Sequence, residues 1–370
     1  MMKKKNKGLI IAGSVIVVLI LIIALIPKIL FTDYEGLPTS GAYGVKMISA
    51  ITIDESRVES FETDGSNREV PVYFNYPDIE GEEENSFPLV IFSHGAFGYY
   101  QSNASTYMEL ASNGYVVVSL EHPYHSFFTT DTEGKTVTVN PEFLQEVMNV
   151  NDEKVSEKEV IETSHKWLDI RVADIGFVLD SIKEAKETQT LKEAAWYVSD
   201  DETKTEILEI LSMINAEKIG VMGHSLGGAA SVTIGRTRDD IDAVIDLDGT
   251  MLGEKFDFEN GLYEYYQGNY PVPLLSVNSQ AHQEQCDEAN LLYVNNVVLE
   301  NAVDGQYTYF KGSGHMNFTD LPLFSPILSS LLGVGEVDAT ECITTMNGVI
   351  LDYFNCYLKN EGTAVVEKCY

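Results

Sequence analysis

The chain opens on an uninterrupted apolar run and then settles into short alternating segments. Leu9 to Ile26 reads LIIAGSVIVVLILIIALI, 18 residues without a charge. At helical rise that covers about 27 Å of a hydrocarbon layer about 30 Å thick, so the run predicts a transmembrane helix. From Val45 the pattern changes to period two. Val45–Ile53 and Val70–Asn75 read as antiparallel strands, and Glu80 to Asn85 as an acidic turn. Leu89–Phe92 and Tyr115–Leu120 are continuous apolar runs, with a helix predicted over Ser105–Asn113 between them. Strand, helix, strand with both strand faces apolar implies a parallel sheet.

The rhythm breaks at two acidic stretches, near 124–165 and 183–216, the first holding a short predicted helix over Pro141–Met148. Trp167–Ile182 between them carries apolar residues at 167, 168, 170, 172, 175, 178, 179 and 182, close to helical spacing. Further strands are expected at Ile219–Met222, Ala243–Leu247, Pro273–Val277 and Thr308–Phe310, and a last helix over Cys342–Asn360. The expected organisation is a basic tip and membrane segment over 1–30, a Gly- and Pro-bearing linker over 31–44, and one α/β domain over 45–370. Insertions of this kind commonly cover a site, so both are expected on one side of the sheet as a lid, the alternative being solvated surface helices.

Charge gives this division a direction. The 370 residues carry 24 Lys+Arg against 57 Asp+Glu, a formal charge of −33. Lys3, Lys4, Lys5, Lys7 and Lys28 are the only charged residues of 1–30, leaving 19 cationic against 57 acidic residues, or −38, in 31–370. The lysine cluster is expected to stay cytoplasmic and the acidic body to lie outside. Ile26–Leu30 offers no small-residue cleavage site, which favours an uncleaved, single-pass signal anchor over a secreted form. So acidic a body repels phosphate backbones, which argues against nucleic acid as a partner. Cys286, Cys342, Cys356 and Cys369 fall in the exported part, where a Cys342–Cys356 or Cys356–Cys369 bridge would clamp the C-terminal segment; four cysteines allow three connectivities, and free thiols are a further option.

Chemistry enters at Gly223-His224-Ser225-Leu226-Gly227, between an apolar strand and the small-residue run Gly228-Ala229-Ala230-Ser231. A strand that turns at once into a helix strains its apex residue, so small neighbours are needed, and the apex hydroxyl stands at a helix N-terminus. Ser225 is the expected nucleophile. A base and an acid should follow in the chain order Ser, Asp or Glu, His. His315, in the glycine-rich loop Gly312–Phe318, is the expected base; His282 lies in a polar run, Gln280–Glu288, that reads as solvated. Asp248, at the end of the strand Ala243–Asp248, is the expected acid. Asp246 shares its parity, while Glu284, Asp287 and Asp304 would suit an acid one strand later. The oxyanion donors are expected at the backbone N–H of Leu226 and of Ala96, in Phe92–Gly98. His122, His125 and His165 show no ligand spacing, and neither metal nor cofactor is expected.

This ordered series resembles the plasma-type, lipoprotein-associated platelet-activating factor acetylhydrolases. Phe92–Gly95, Leu110–Val117 leading to Glu121-His122, Arg171–Asp174, Gly223–Ala229, Leu247-Asp248, Pro273–Ser279 and Gly312–Phe318 carry the resemblance, over roughly Val70–Phe318. It implies an α/β-hydrolase fold, with a mostly parallel sheet flanked by helices. It also implies nucleophile, acid and base at Ser225, Asp248 and His315, which lifts Asp248 over its rivals, and oxyanion donors at Ala96 and Leu226. The implied activity is hydrolysis of short-acyl or oxidised phospholipids, or similar small esters, through an acyl-enzyme. Leu226 stands where that family has an aromatic residue, and Gly249-Thr250 where it has bulky ones. Cutinase-like polyesterases, general esterases and peptidases therefore stay open as alternatives, as does a non-catalytic binding protein on the same fold.

Overall fold

The computed structural model describes residues 30–370 except 33, 80–83, 151, 153 and 365. The apolar run at Leu9–Ile26 and most of the acidic turn at 80–85 lie outside the described residues. Among the described residues no helix is long and apolar enough to cross a membrane.

In chain order, a hairpin of β1 (Gly44–Val58) and β2 (Asn67–Asp78) leads into β3 (Phe87–Ser93), α1 (Ala104–Ser112) and β4 (Val116–Leu120). A small hairpin, β5 (Phe128–Thr130) and β6 (Thr136–Thr138), then precedes α2 (Pro141–Asn149) and the long α3 (Glu157–Thr188). Next come β7 (Trp196–Tyr197), α4 (Asp201–Met213), β8 (Ile214–His224), α5 (Leu226–Thr237) and β9 (Ala243–Leu247). A second hairpin, β10 (Lys255–Glu259) and β11 (Leu262–Tyr265), is followed by β12 (Leu274–Ser279), α6 (Gln280–Ala289), α7 (Val294–Asn301) and β13 (Gly305–Phe310). Short α8 (Leu321–Phe324) and α9 (Pro326–Leu332) lead to α10 (Ala339–Phe354).

The main sheet has the order β13-β12-β9-β8-β3-β4-β2-β1-β7. It is parallel from β13 through β4 and antiparallel at β2, β1 and β7. Every residue of β3 and β4 is buried, as their unbroken apolar runs require. Alternate side chains feed two cores. Leu89, Ile91, Val116 and Val118 pack on the face covered by α3 and α5. Val90, Phe92 and Val117 pack on the face covered by α1 and α10. The opening strands, the helix before β4 and the parallel series appear where the apolar pattern puts them.

Three expectations are corrected. The stretch 31–44 is no free linker: Tyr43 N–H donates to Ser112 O at 3.0 Å, Ser40 N–H to Glu109 Oε2 at 2.9 Å, and a Cβ on Gly41 would lie 2.0 Å from Ser112 O. Residues 157–165 of the first insertion and 183–188 of the second are the two ends of α3, whose N-terminus Ser156 caps by accepting from Glu159 N–H. The insertions do not share one side. The second gives α4, which ends immediately before the first residue of β8, and β7, which pairs with β1 at the far edge. It therefore borders the N-terminal end of β8, opposite the strand's C-terminal end at His224. Of the options left open for the cysteines, the structure has all four as free thiols. Cys342 lies in α10 and Cys356 in the helical turn that continues it. Fourteen residues of helix separate them by about 21 Å, beyond the roughly 7 Å that a disulfide spans.

Candidate active site

Ser225 occupies the turn between β8 and α5 with φ 55° and ψ −120°, a conformation disfavoured for a residue with a side chain. Its neighbours make the turn sterically possible. A Cβ on Gly227 would lie 1.9 Å from Ser93 O, and one on Gly223 2.4 Å from Gly227 O. Both positions must be glycine, because the turn presses directly against the end of β3.

Asp248 follows β9, also at positive φ, 54°. Its carboxylate is buried and fully engaged: His315 Nδ1 is 2.7 Å from Oδ2, while His282 Nδ1 at 3.2 Å and Ser279 N–H at 2.5 Å reach Oδ1. Burial alone would raise its pKa, but the hydrogen bonds from His282 and His315 outweigh it and hold the group well below the ordinary carboxylate range. Asp248 is thus ionised, and His315 Nδ1 must carry the proton it shares with Oδ2. In the neutral ring this tautomer puts the lone pair on Nε2.

The rival acid Asp246 is the opposite case. Burial, then the negative charge of Asp248, push its carboxyl well above the usual range. Its Oδ1 accepts from Gly249 N–H at 3.0 Å and so fixes the turn behind Asp248. Glu284 and Asp287 are placed on α6, and Asp304 just before β13. None of these three lines the cavity described below.

Ser225, Leu226, Asp248, Ala96 and His315 all line one cavity of about 790 Å³. Ser225 Oγ and His315 face it without a hydrogen bond between them, a looseness common before a substrate is bound. As the first residue of α5, Leu226 has an N–H with no partner inside the helix. Ala96 N–H donates to no backbone oxygen among the described residues. The arrangement can therefore pass a proton from Ser225 through His315 and offer two donors to a developing oxyanion.

Two contributions escaped the sequence pattern. His282, read as solvated, is buried on α6 and shares Asp248 with His315. Ser279, the N-cap of α6, accepts from His282 N–H at 3.2 Å and turns the helix so that the ring faces the acid. A Ser three residues before a His, directly after an apolar strand, was the available signal. The β10–β11 hairpin was also missed, and it brings Lys255 and Tyr263 to the cavity wall. The first insertion lines that wall with Val147, Val150 and Val155, whereas no residue of 183–216 reaches it.

The profile of a family described as platelet-activating factor acetylhydrolase, isoform II, matches residues 53–364. Platelet-activating factor acetylhydrolase of Gallus gallus is 24% identical over 287 residues, covering 74% of this chain and 62% of the relative. That of Canis lupus familiaris is 22% identical over 300 residues, covering 78% and 60%. The chain thus spans about three fifths of the length of these curated relatives. The solved structure of the ferulic acid esterase from Streptomyces cinnamoneus shares the fold, with a TM-score of 0.63 at 19% identity, covering 90% of this chain and 95% of that one.

His282→Phe leaves Asp248 Oδ1 with the Ser279 N–H alone. Loss of a charge-assisted hydrogen bond of this kind is expected to lower unfolding free energy by about 1–3 kcal/mol at neutral pH. Because the Asp248 pKa is depressed, its stabilisation is complete above the unfolded value of about 3.9 and is lost as pH falls through the folded one. Urea unfolding should therefore separate variant from wild type most at neutral pH and progressively less below pH ~4. A constant or widening gap would show that Asp248 is not what His282 supports.

Proposed function

The chain belongs to the platelet-activating factor acetylhydrolase, isoform II, family, and from that premise we propose that it is a serine carboxylic ester hydrolase with Ser225 as nucleophile. The observation that carries this reading is the strained Ser225 turn opening on a cavity shared with the Asp248–His315 pair. His315 Nε2 takes the Ser225 hydroxyl proton as Oγ bonds to the ester carbonyl carbon. The carbonyl oxygen becomes an anion against Ala96 and Leu226 N–H. Collapse breaks the bond to the alkoxy oxygen, which leaves with the proton from Nε2. Water then repeats the sequence on the acyl-enzyme, with His315 as base, and frees the acid. Asp248 stays ionised throughout and steadies the imidazolium.

For the substrate we infer a short-acyl or oxidised phospholipid or a similar small ester. Two features of the cavity support it. Val147, Val150 and Val155 offer an apolar wall for an acyl or alkyl chain. Lys255, whose Nζ sits 4.0 Å from the Tyr263 ring centroid, is the one Lys or Arg among the described lining residues, in a strongly acidic chain. It can pair with a phosphodiester. We further propose that Leu9–Ile26 tethers the domain to a bilayer. In support, Leu30 O accepts from Ser325 Oγ at 2.6 Å, and Thr32 N–H donates to Phe324 O at 2.8 Å. The chain thereby enters the domain beside α9, whose Ile327, Leu331 and Leu332 are exposed.

Ser225→Ala is expected to abolish fluorophosphonate labelling and to lower p-nitrophenyl acetate turnover by about 10⁴-fold or more; retained turnover in a pure preparation would overturn the assignment. Lys255→Met is expected to raise KM for a short-acyl phosphatidylcholine roughly fivefold to thirtyfold, the factor given by about 1–2 kcal/mol of lost charge pairing. Turnover of p-nitrophenyl acetate should be unaffected, and equal effects on the two substrates would favour a general esterase. Alkaline carbonate extraction of membranes from expressing cells should leave the full chain in the pellet; its release into the supernatant would remove the anchor.

A further inference from the structure

Arg171 heads the fully buried side chains by volume, and its guanidinium makes no ion pair among the described residues. Asp174, three residues further along its own helix, is already taken. Its two oxygens are held by Arg68 at 2.7 and 3.1 Å, by Arg57 at 2.9 Å and by His122 Nδ1 at 2.9 Å. An unpaired buried charge is costly, so what Arg171 does bind is informative. It donates to His94 O and, at 3.3 Å, to Gly95 O, with Ser93 Oγ at 3.5 Å. These are the last residue of β3 and the first two of the loop that leaves it.

Gly95 C=O and Ala96 N–H belong to one planar trans peptide, so they point in opposite directions. The Gly95 carbonyl also meets Gly98 N–H at 3.1 Å and His94 Nδ1 at 2.7 Å, and holding it among these partners and the buried guanidinium turns the N–H away from them. Ala96 lies on the cavity with Ser225 and Leu226. A second chain restrains the same loop one residue earlier: Asp174 Oδ2 to His122 Nδ1 at 2.9 Å, and His122 Nε2 to Ser93 Oγ at 2.8 Å. This Ser-His-Asp series is wholly buried, beyond the reach of any substrate, so its part is structural.

We propose that Arg171 is a positioning residue for the oxyanion site: its guanidinium locks the Gly95–Ala96 peptide so that Ala96 N–H is aimed at the developing oxyanion, and its charge polarises that N–H. The assignment rests on the ester-hydrolase reading above. It goes beyond packing, because Arg171 then acts on the tetrahedral state and not on the bound ester.

The test compares wild type, Arg171→Lys and Arg171→Met with a trifluoromethyl ketone and the methyl ketone of the same chain. On the trifluoromethyl ketone Ser225 Oγ bonds to the carbonyl carbon, its proton passes to His315, and the carbonyl oxygen becomes an anion. The methyl ketone stays trigonal. Arg171→Met is expected to weaken trifluoromethyl ketone inhibition and to lower kcat for p-nitrophenyl acetate in parallel, roughly tenfold to a hundredfold. That is less than the 10²–10³ that losing a whole donor costs. Methyl ketone affinity and KM should stay near wild type. Arg171→Lys, which keeps the charge but not the forked geometry, should fall between, and it decides the matter if near-UV circular dichroism shows Arg171→Met to be unfolded. A folded variant whose loss is equal for both ketones, or absent, overturns the proposal. A wild type that neither hydrolyses esters nor reacts with fluorophosphonate overturns the ester-hydrolase reading instead.

Discussion

The contact of Gly227 against the Ser93 carbonyl is the constraint from which the rest of the site follows. With room for a hydrogen and no more, it brings the β8–α5 turn onto the end of β3. One close approach thereby sets two things at once: the backbone of Ser225 at positive φ and the exit path of the loop that carries Ala96. Had the turn stood farther off, the nucleophile and the second N–H donor would belong to separate parts of the surface. The strain at Ser225 persists because β3 is buried throughout and β8 is buried from Ile219 to His224, where the two strands pair in register, which leaves the turn no room to relax.

Burial then sorts the charged groups around this contact. Asp246 and Asp248 are two residues apart and both buried, yet their carboxyl groups are driven in opposite directions. Asp248 has three donors and keeps its charge. Asp246 has Gly249 N–H and a negative neighbour, and is driven toward its neutral form. The same logic separates the two arginines beneath the loop. Arg68 is paired by Glu59 and Asp174, whereas Arg171 spends its donors on backbone carbonyls. Burial also holds His122 far below its usual pKa, followed in effect by the charge of Arg171. It can then bridge Ser93 and Asp174 as a neutral ring.

Much of this was legible in the sequence because it is local. The unbroken apolar runs marked β3 and β4 as strands buried on both faces, and the Gly-x-Ser-x-Gly spacing between strand and helix located the elbow. Asp248 and His315 could be ordered along the chain but not joined, since they stand 67 positions apart with four strands between them. His282 was misread for a related reason. Its neighbours on α6 are polar, and only the capping of that helix by Ser279 turns one ring inward. The β10–β11 hairpin carries too weak an alternation to stand out, and most of its residues are at least partly exposed.

By itself the sequence determined the α/β architecture of the folded domain, the residue at the elbow and the sign of the charge on the body. Each depends on periodicity, on the size of adjacent side chains or on composition, all of which act over a few residues or none. The tertiary structure decided which acidic stretch borders the cavity, how many histidines the acid holds and where the guanidinium of Arg171 points. These are contacts between segments distant in the chain, formed only when the parallel strands align their C-terminal ends. There, burial makes an unmatched charge costly enough that its partner reveals its role.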